Sequence, residues 1–393
     1  MSVRMKKTFS KEMQNLDAAG LLRTETPVEQ TGSMEARFRS NKSALNFIGN
    51  DLLGWSSNDQ VREAATEALA RYGTGSTSSR VCIGTLDVTK ILEEKLSDFL
   101  GLDDCIVFPS NYLANIGVFD PLTNRRDKIF IDEMSSPGLY DGARLSRAEV
   151  VSYEHNDNDN LEYHLKCSQN SRFRLVVTDG VFNTDGECAN LDHIQELTEA
   201  YDAITIVDDS FGVGILGENG RGTFDHLQVE KKAEITTGSF AYALGNVGGG
   251  FICGDGDLVH WLRHTSKPYI LSEPMSPINA AIVLKAIEIL EKDPSVIAKL
   301  HSNALYLKEK ILVRNWELIT HEQPFISIVV GSTLKAQKTV EYLFDNNILV
   351  SGLCYPNTPE DASRLRINVC ANHTTEQMDK LIISLEEAFS LLG

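Results

Sequence analysis

Ile204-Thr205-Ile206-Val207-Asp208-Asp209 is a short run of four β-branched residues closed by two acids. Its apolar character is too continuous for a strand with one wet face, so it reads as an inner strand of a parallel sheet. Working outward, the same form recurs in Arg174-Leu175-Val176-Val177-Thr178-Asp179, Glu149-Val150-Val151-Ser152, Lys128-Ile129-Phe130-Ile131-Asp132 and Cys105-Ile106-Val107-Phe108, the last bounded by Pro109. The runs that end at Asp132, Asp179 and Asp208 put acids at their C-terminal ends, the edge where open parallel sheets bind ligands. Strands alternating with helical patterns predict an α/β fold around a mostly parallel central sheet.

Helical spacing begins near Asp59, where Val61, Ala64, Ala65, Ala68 and Leu69 share a face, and returns over residues 88–100. Between them lies Gly73-Thr74-Gly75-Ser76-Thr77-Ser78-Ser79-Arg80, a composition that reads as a loop. Val283, Leu284, Ile287 and Leu290 form a stripe before Asp293-Pro294, and Pro294 reads as the opening of a second helix that runs to about Leu312. The C-terminal part alternates strand and helix and closes with an amphipathic helix over 375–392. The polar N-terminus, with a helical patch over 11–22, reads as an arm. The expected organisation is an arm at 1–46, a large α/β domain at 47–280 and a smaller α+β domain at 281–393, without repeats or low-complexity tracts.

The 37 basic and 55 acidic residues give a net charge of −18, spread along the chain. That balance argues against non-specific binding of nucleic acid or anionic membrane. Seven cysteines, none in a C-x-x-C pair, read as reduced and mostly buried thiols of a cytoplasmic protein. Met1 to Lys7 is basic but has no apolar core, so no signal peptide is expected. No window reaches the length of a membrane span, and no spacing calls for a metal. Gly212-Val213-Gly214-Ile215-Leu216-Gly217 matches a dinucleotide fingerprint, but a turn, Glu218-Asn219-Gly220-Arg221-Gly222, follows where the fingerprint needs a helix. That turn is expected to be structural.

Other segments, in order, carry a more specific pattern. They are Asn50-Asp51-Leu52-Leu53-Gly54, the loop ending at Arg80, Ser110-Asn111-Tyr112-Leu113-Ala114-Asn115, Asp132-Glu133, His155-Asn156-Asp157, Asp179-Gly180-Val181-Phe182, Asp208-Asp209-Ser210, Gly238-Ser239-Phe240-Ala241-Tyr242-Ala243-Leu244-Gly245 and Arg364-Leu365-Arg366. From about Asn46 onward the chain resembles the α-oxoamine synthases. These are fold-type I pyridoxal-phosphate enzymes that condense an acyl-CoA with an amino acid in dimers whose sites lie between subunits. The resemblance implies that Asp208 pairs with the pyridine nitrogen, keeping the cofactor protonated as an electron sink. It implies that Ser110, Asn111 and Tyr112 cradle the phosphate at a helix N-terminus, with Asn111 where glycine is usual. Ser239 and Ser272 are implied phosphate contacts, Ser272 toward the partner's site. Arg366 is the implied clamp on the substrate carboxylate, whereas Arg364 reads as a surface strand residue.

The departures fall at the chemical centre. Catalytic members have lysine at position 242, where this chain has Tyr242, and an imine requires a primary amine. They have histidine where Ser136 and Phe211 stand. Lys267, the nearest lysine downstream, lies in a segment with another implied role. The pattern resembles the lysine-lacking, non-catalytic subunit of serine palmitoyltransferase, without its membrane helix. It implies pyridoxal phosphate bound weakly or not at all, and a homodimer or a heterodimer with a lysine-bearing homologue. The alternative is an active acyl-CoA:amino-acid acyltransferase with a divergent site.

Overall fold

Seven strands form the central sheet: β1 (Asp104–Phe108), β2 (Lys128–Asp132), β3 (Glu149–Tyr153), β4 (Arg174–Asp179), β5 (Ile204–Asp208), β6 (Ile235–Ser239) and β7 (Gly250–Gly254). They lie in the order β1-β7-β6-β5-β4-β2-β3. Every pairing is parallel except those of β7, which runs against both its neighbours. This is the expected fold-type I arrangement in the computed structural model, which describes residues 2–18, 25–319, 323–355, 358 and 361–392.

β4, β6 and β7 are buried at every residue, while β3 is largely exposed at the sheet edge. β6 and β7 were not legible as strands, because Gly and Thr dominate Ile235-Thr236-Thr237-Gly238-Ser239. Gly238 is required there: a Cβ would collide with the Phe251 ring on β7.

Helix α1 spans Val3–Ala18 and is exposed. The helices that follow are α2 at Asp59–Tyr72, α3 at Asp87–Leu100, α4 at Asn111–Leu122 and α5 at Pro137–Leu145, with α3 and α4 packed on the sheet. The expected helical patch at 11–22 is helical to Ala18 within α1, and its remainder lies outside the described residues. Asn58 caps α2 by accepting from the amides of Gln60 and Val61, and Ser110 caps α4 by accepting from Leu113 N. Helices Pro277–Lys292 and Ser295–Leu312, with Pro294 at the N-cap between them, lead to a second sheet made of Leu318–Ile319, Phe325–Gly331, Ser351–Leu353 and Ser363–Asn368. Helix Thr375–Leu392 packs beneath this sheet through Met378, Leu381, Ile382 and Leu385. A third sheet joins Val28–Thr31, Glu35–Phe38 and Ser43–Asn46 to Ile348–Leu349. Among the described residues, no helix is long and apolar enough to cross a membrane.

The expectation of seven reduced thiols fails at two positions. Cys105 on β1 and Cys253 on β7 sit directly opposite in the antiparallel register and form a disulfide. The pairing escaped the sequence reading because 148 residues separate them and β7 was not recognised.

Candidate functional site

A cavity of about 640 Å³ opens at the C-terminal ends of β2, β4 and β5. The structure brings Asn111, Tyr112, Ser136, Asp208, Phe211, Ser239, Tyr242 and Arg366 together in its wall. Ser110 stands behind, occupied as the cap of α4. Ser272 is absent from the wall, and its Oγ donates to the carbonyl of Pro268. Lys267 pairs with Asp120 at 2.6 Å on the surface and is no part of the cavity.

Asp208 ends β5 and is buried. Its Oδ2 accepts from Asn115 Nδ2 at 2.6 Å, Asn111 Nδ2 at 2.9 Å and Ser136 Oγ at 3.3 Å. Its Oδ1 accepts from Ser210 Oγ at 2.6 Å and Ser210 N at 3.1 Å. Beside it in the parallel register stands Asp179. Burial, and then the charge of Asp208, hold the Asp179 carboxyl well above the usual range, with hydrogen bonds to Ser136 opposing. The next residue, Asp209, turns the other way, accepting from Thr223 Oγ1 at 2.5 Å and Thr223 N at 2.9 Å. Burial raises its carboxyl to about 7.

The far wall is aromatic. Tyr242 packs on Phe211 with ring centroids 4.3 Å apart, and Phe211 meets Phe325 edge-on at 5.6 Å. The segment carrying Tyr242 is anchored from below: Asp51 accepts from the amides of Trp55 and Ser56, and the Trp55 indole donates to Ala243 O at 2.5 Å. Burial raises the Tyr242 phenol above the usual tyrosine value, against the nearby charge of Arg366. Arg366 lies over the Phe325 ring at 4.4 Å and donates to Asn183 O at 2.7 Å. Burial pushes its guanidinium down to about 10, while Tyr242 opposes the shift.

The chain matches the model of the aminotransferase class I and II family over residues 42–385. It is 34% identical to the 8-amino-7-oxononanoate synthase of Thermoanaerobacter pseudethanolicus, over 96% of this chain and 96% of that protein. It is 32% identical to the serine palmitoyltransferase of Sphingobacterium spiritivorum, over 96% and 94%. In three dimensions it is similar to a serine palmitoyltransferase from S. paucimobilis with a bound pyridoxal phosphate–myriocin aldimine, with a TM-score of 0.93, 26% identity and 100% coverage of both chains. The chain belongs to the α-oxoamine synthases.

This family depends on pyridoxal phosphate, and the residues here do not fit that cofactor as a covalently held group. Among the described residues, no lysine lines the cavity. The phenol of Tyr242 offers no amine, and its ring is packed against Phe211. The Asp208 carboxylate is already fully engaged by protein donors. No chemical step through the cofactor is therefore derived for this chain.

Two features were misread or missed in the sequence. Arg364 is no surface residue: it is 8% exposed, and its guanidinium donates to Thr184 O at 3.2 Å. Its position on the strand before Arg366 gave no sign of this, because the carbonyl that holds it comes from 180 residues upstream. Likewise Arg80, in the expected loop, is a buried ion-pair partner of Glu93 on α3 at 2.6 Å. The bias toward Gly and Ser around Arg80 masked a structural anchor.

Proposed function

We propose that this chain is a catalytically silent α-oxoamine synthase subunit, which pairs with a lysine-bearing homologue and supports the partner's acyl-CoA:amino-acid condensation. The observation that carries the reading is the Tyr242–Phe211 pair, which puts two aromatic rings where catalytic relatives are expected to keep a lysine and a histidine. An enzyme of this class needs the amine for the covalent cofactor, and a pair of packed aromatic rings supplies only apolar packing. Around the pair stand Asp208, Arg366 and the Asp51–Trp55 anchor, each held by hydrogen bonds within the chain, which supports a scaffold of the family's kind. A silent subunit needs that scaffold in order to present a dimer face. The relatives include 8-amino-7-oxononanoate synthases as well as serine palmitoyltransferase, so the partner is named by class rather than by substrate.

Native mass spectrometry of the protein purified from its own host tests this. The expected species is a heterodimer with a lysine-bearing homologue, with one pyridoxal phosphate on the partner. A homodimer alone, active on an acyl-CoA and an amino acid, favours the second reading, a divergent but working synthase. The presence in the cavity wall of Arg366, the carboxylate clamp that the family resemblance implies, is what speaks for that alternative.

A further inference from the structure

We infer that Asn111 is the residue that shuts the cavity to pyridoxal phosphate, by taking the place of the pyridine nitrogen on Asp208. An ionised carboxylate offers about four acceptor positions. Asp208 already receives five donors, and Asn111 Nδ2 at 2.9 Å is one of them. A pyridinium N–H reaching this carboxylate would have to evict a protein donor, and once Asn111 is gone the longest contact left to compete is Ser136 Oγ at 3.3 Å. The side chains of Asn115, Ser136 and Ser210 reach Asp208 from the second turn of α4, the entry to α5 and the residues just after β5. Asn111 alone reaches it from the first residue of α4, where the family resemblance implies glycine and a phosphate.

The geometry holds the amide across the cavity. The backbone of Asn111 is pressed against β7, since a Cβ on Gly250 would lie 2.5 Å from Asn111 N. Ser110 fixes the same turn as the α4 cap. The side chain is left to project over Asp208, and Nδ2 donates to Ser210 Oγ at 2.9 Å as well. The carboxylate accepts only, so the amide orientation is set with its nitrogen toward Asp208. That leaves Asn111 Oδ1 buried without a hydrogen-bond partner. A buried unpaired acceptor is costly and calls for a reason, and capping Asp208 in the absence of a ring supplies one. The inference concerns the isolated chain and holds whether or not a partner subunit exists.

The test is calorimetric titration with deoxypyridoxine phosphate, which keeps the pyridine nitrogen and the phosphate but has no aldehyde to react with surface lysines. Asn111→Gly should bind it at least about tenfold more tightly than the unaltered protein, the factor expected when one hydrogen bond to a charged acceptor no longer has to be displaced. Should thermal unfolding show that Asn111→Gly does not fold, Asn111→Ala is read in the same way, since it removes the amide and keeps the Cβ. Micromolar binding by the unaltered protein, or no gain in the folded variant, overturns the inference.

Discussion

Position 242 carries a phenol where the family resemblance implies an amine, and neighbouring residues suit the phenol. Phe211 packs on Tyr242, and Ser136 donates to Asp208. Restoring the amine alone should therefore restore nothing. Tyr242→Lys is expected to show no release of CoA thiol above the unaltered protein when supplied with acyl-CoA, amino acid and pyridoxal phosphate; measurable turnover would show that Ser136 and Phe211, which stand where the resemblance implies histidines, do not block the reaction. A second residue reports on pH. Burial pushes His373 down to about 4 from 6.5, weakly opposed by the nearby backbone of Asn46. Its ring stacks on Phe47 at 4.2 Å, and its Nδ1 accepts from Cys370 N at 2.9 Å. The folded state holds this imidazole neutral while the unfolded chain protonates it near 6.5. Stability is thus present above that value and is lost as pH falls toward 4, a loss approaching roughly 3 kcal/mol. In urea titrations across that window, His373→Phe should lose less stability than the unaltered protein, because it keeps the stack and removes the titration. A parallel loss in both would contradict the assignment to His373.

Among the elements, those built on periodicity were legible in the sequence. β2, β4 and the helix over 375–392 fall at the bounds the sequence indicated, α3 and the helix after Pro294 lie within a residue or so, α2 starts where expected and the helix before Pro294 ends where expected. What escaped were elements defined by long-range partners. β6 and β7 pair side by side, with Gly238 leaving room for the Phe251 ring, and the loop after Gly73 is fixed by a charge network that only the fold assembles. In that network Glu93, 1% exposed, holds Arg80 at 2.6 Å and Arg263 at 3.1 Å, and accepts from Val107 N at 3.2 Å. Removing the shared acid strands the buried Arg80 guanidinium, while Arg263 keeps Asp104 at 2.9 Å, so Glu93→Ala should cost about 3–5 kcal/mol in chemical unfolding; a cost under about 1 kcal/mol, typical of exposed pairs, would show that the network is not a buried anchor. The turn after the decoy glycines is structural as well. Gly222 has φ +101°, and a Cβ there would strike Asp209 Oδ2. Gly222→Ala should lower the unfolding midpoint sharply, whereas a stable variant that had lost only ligand affinity would contradict that role.

For the whole molecule, the fold class and family were readable in the order of motifs along the chain, and so was most of the cavity wall. The state of the cavity was not. Three departures from the expected pattern, at 136, 211 and 242, were legible in the sequence, but only the fold shows Asn111 reaching Asp208, or Cys105 bonded to Cys253. The disulfide gives a direct count: thiol titration of the purified protein in denaturant, without reductant, should find the five free cysteines and not all seven. A titre of seven would return every cysteine to the reduced state that composition suggests. The claim on which the functional reading rests is the missing covalent anchor. It is tested most directly by incubating the purified chain with pyridoxal phosphate, reducing with borohydride and mapping the peptides by mass spectrometry. No lysine of this chain should carry the phosphopyridoxyl group in stoichiometric amount; one lysine so labelled, with the yellow absorbance of an imine before reduction, would contradict the assignment of a silent subunit.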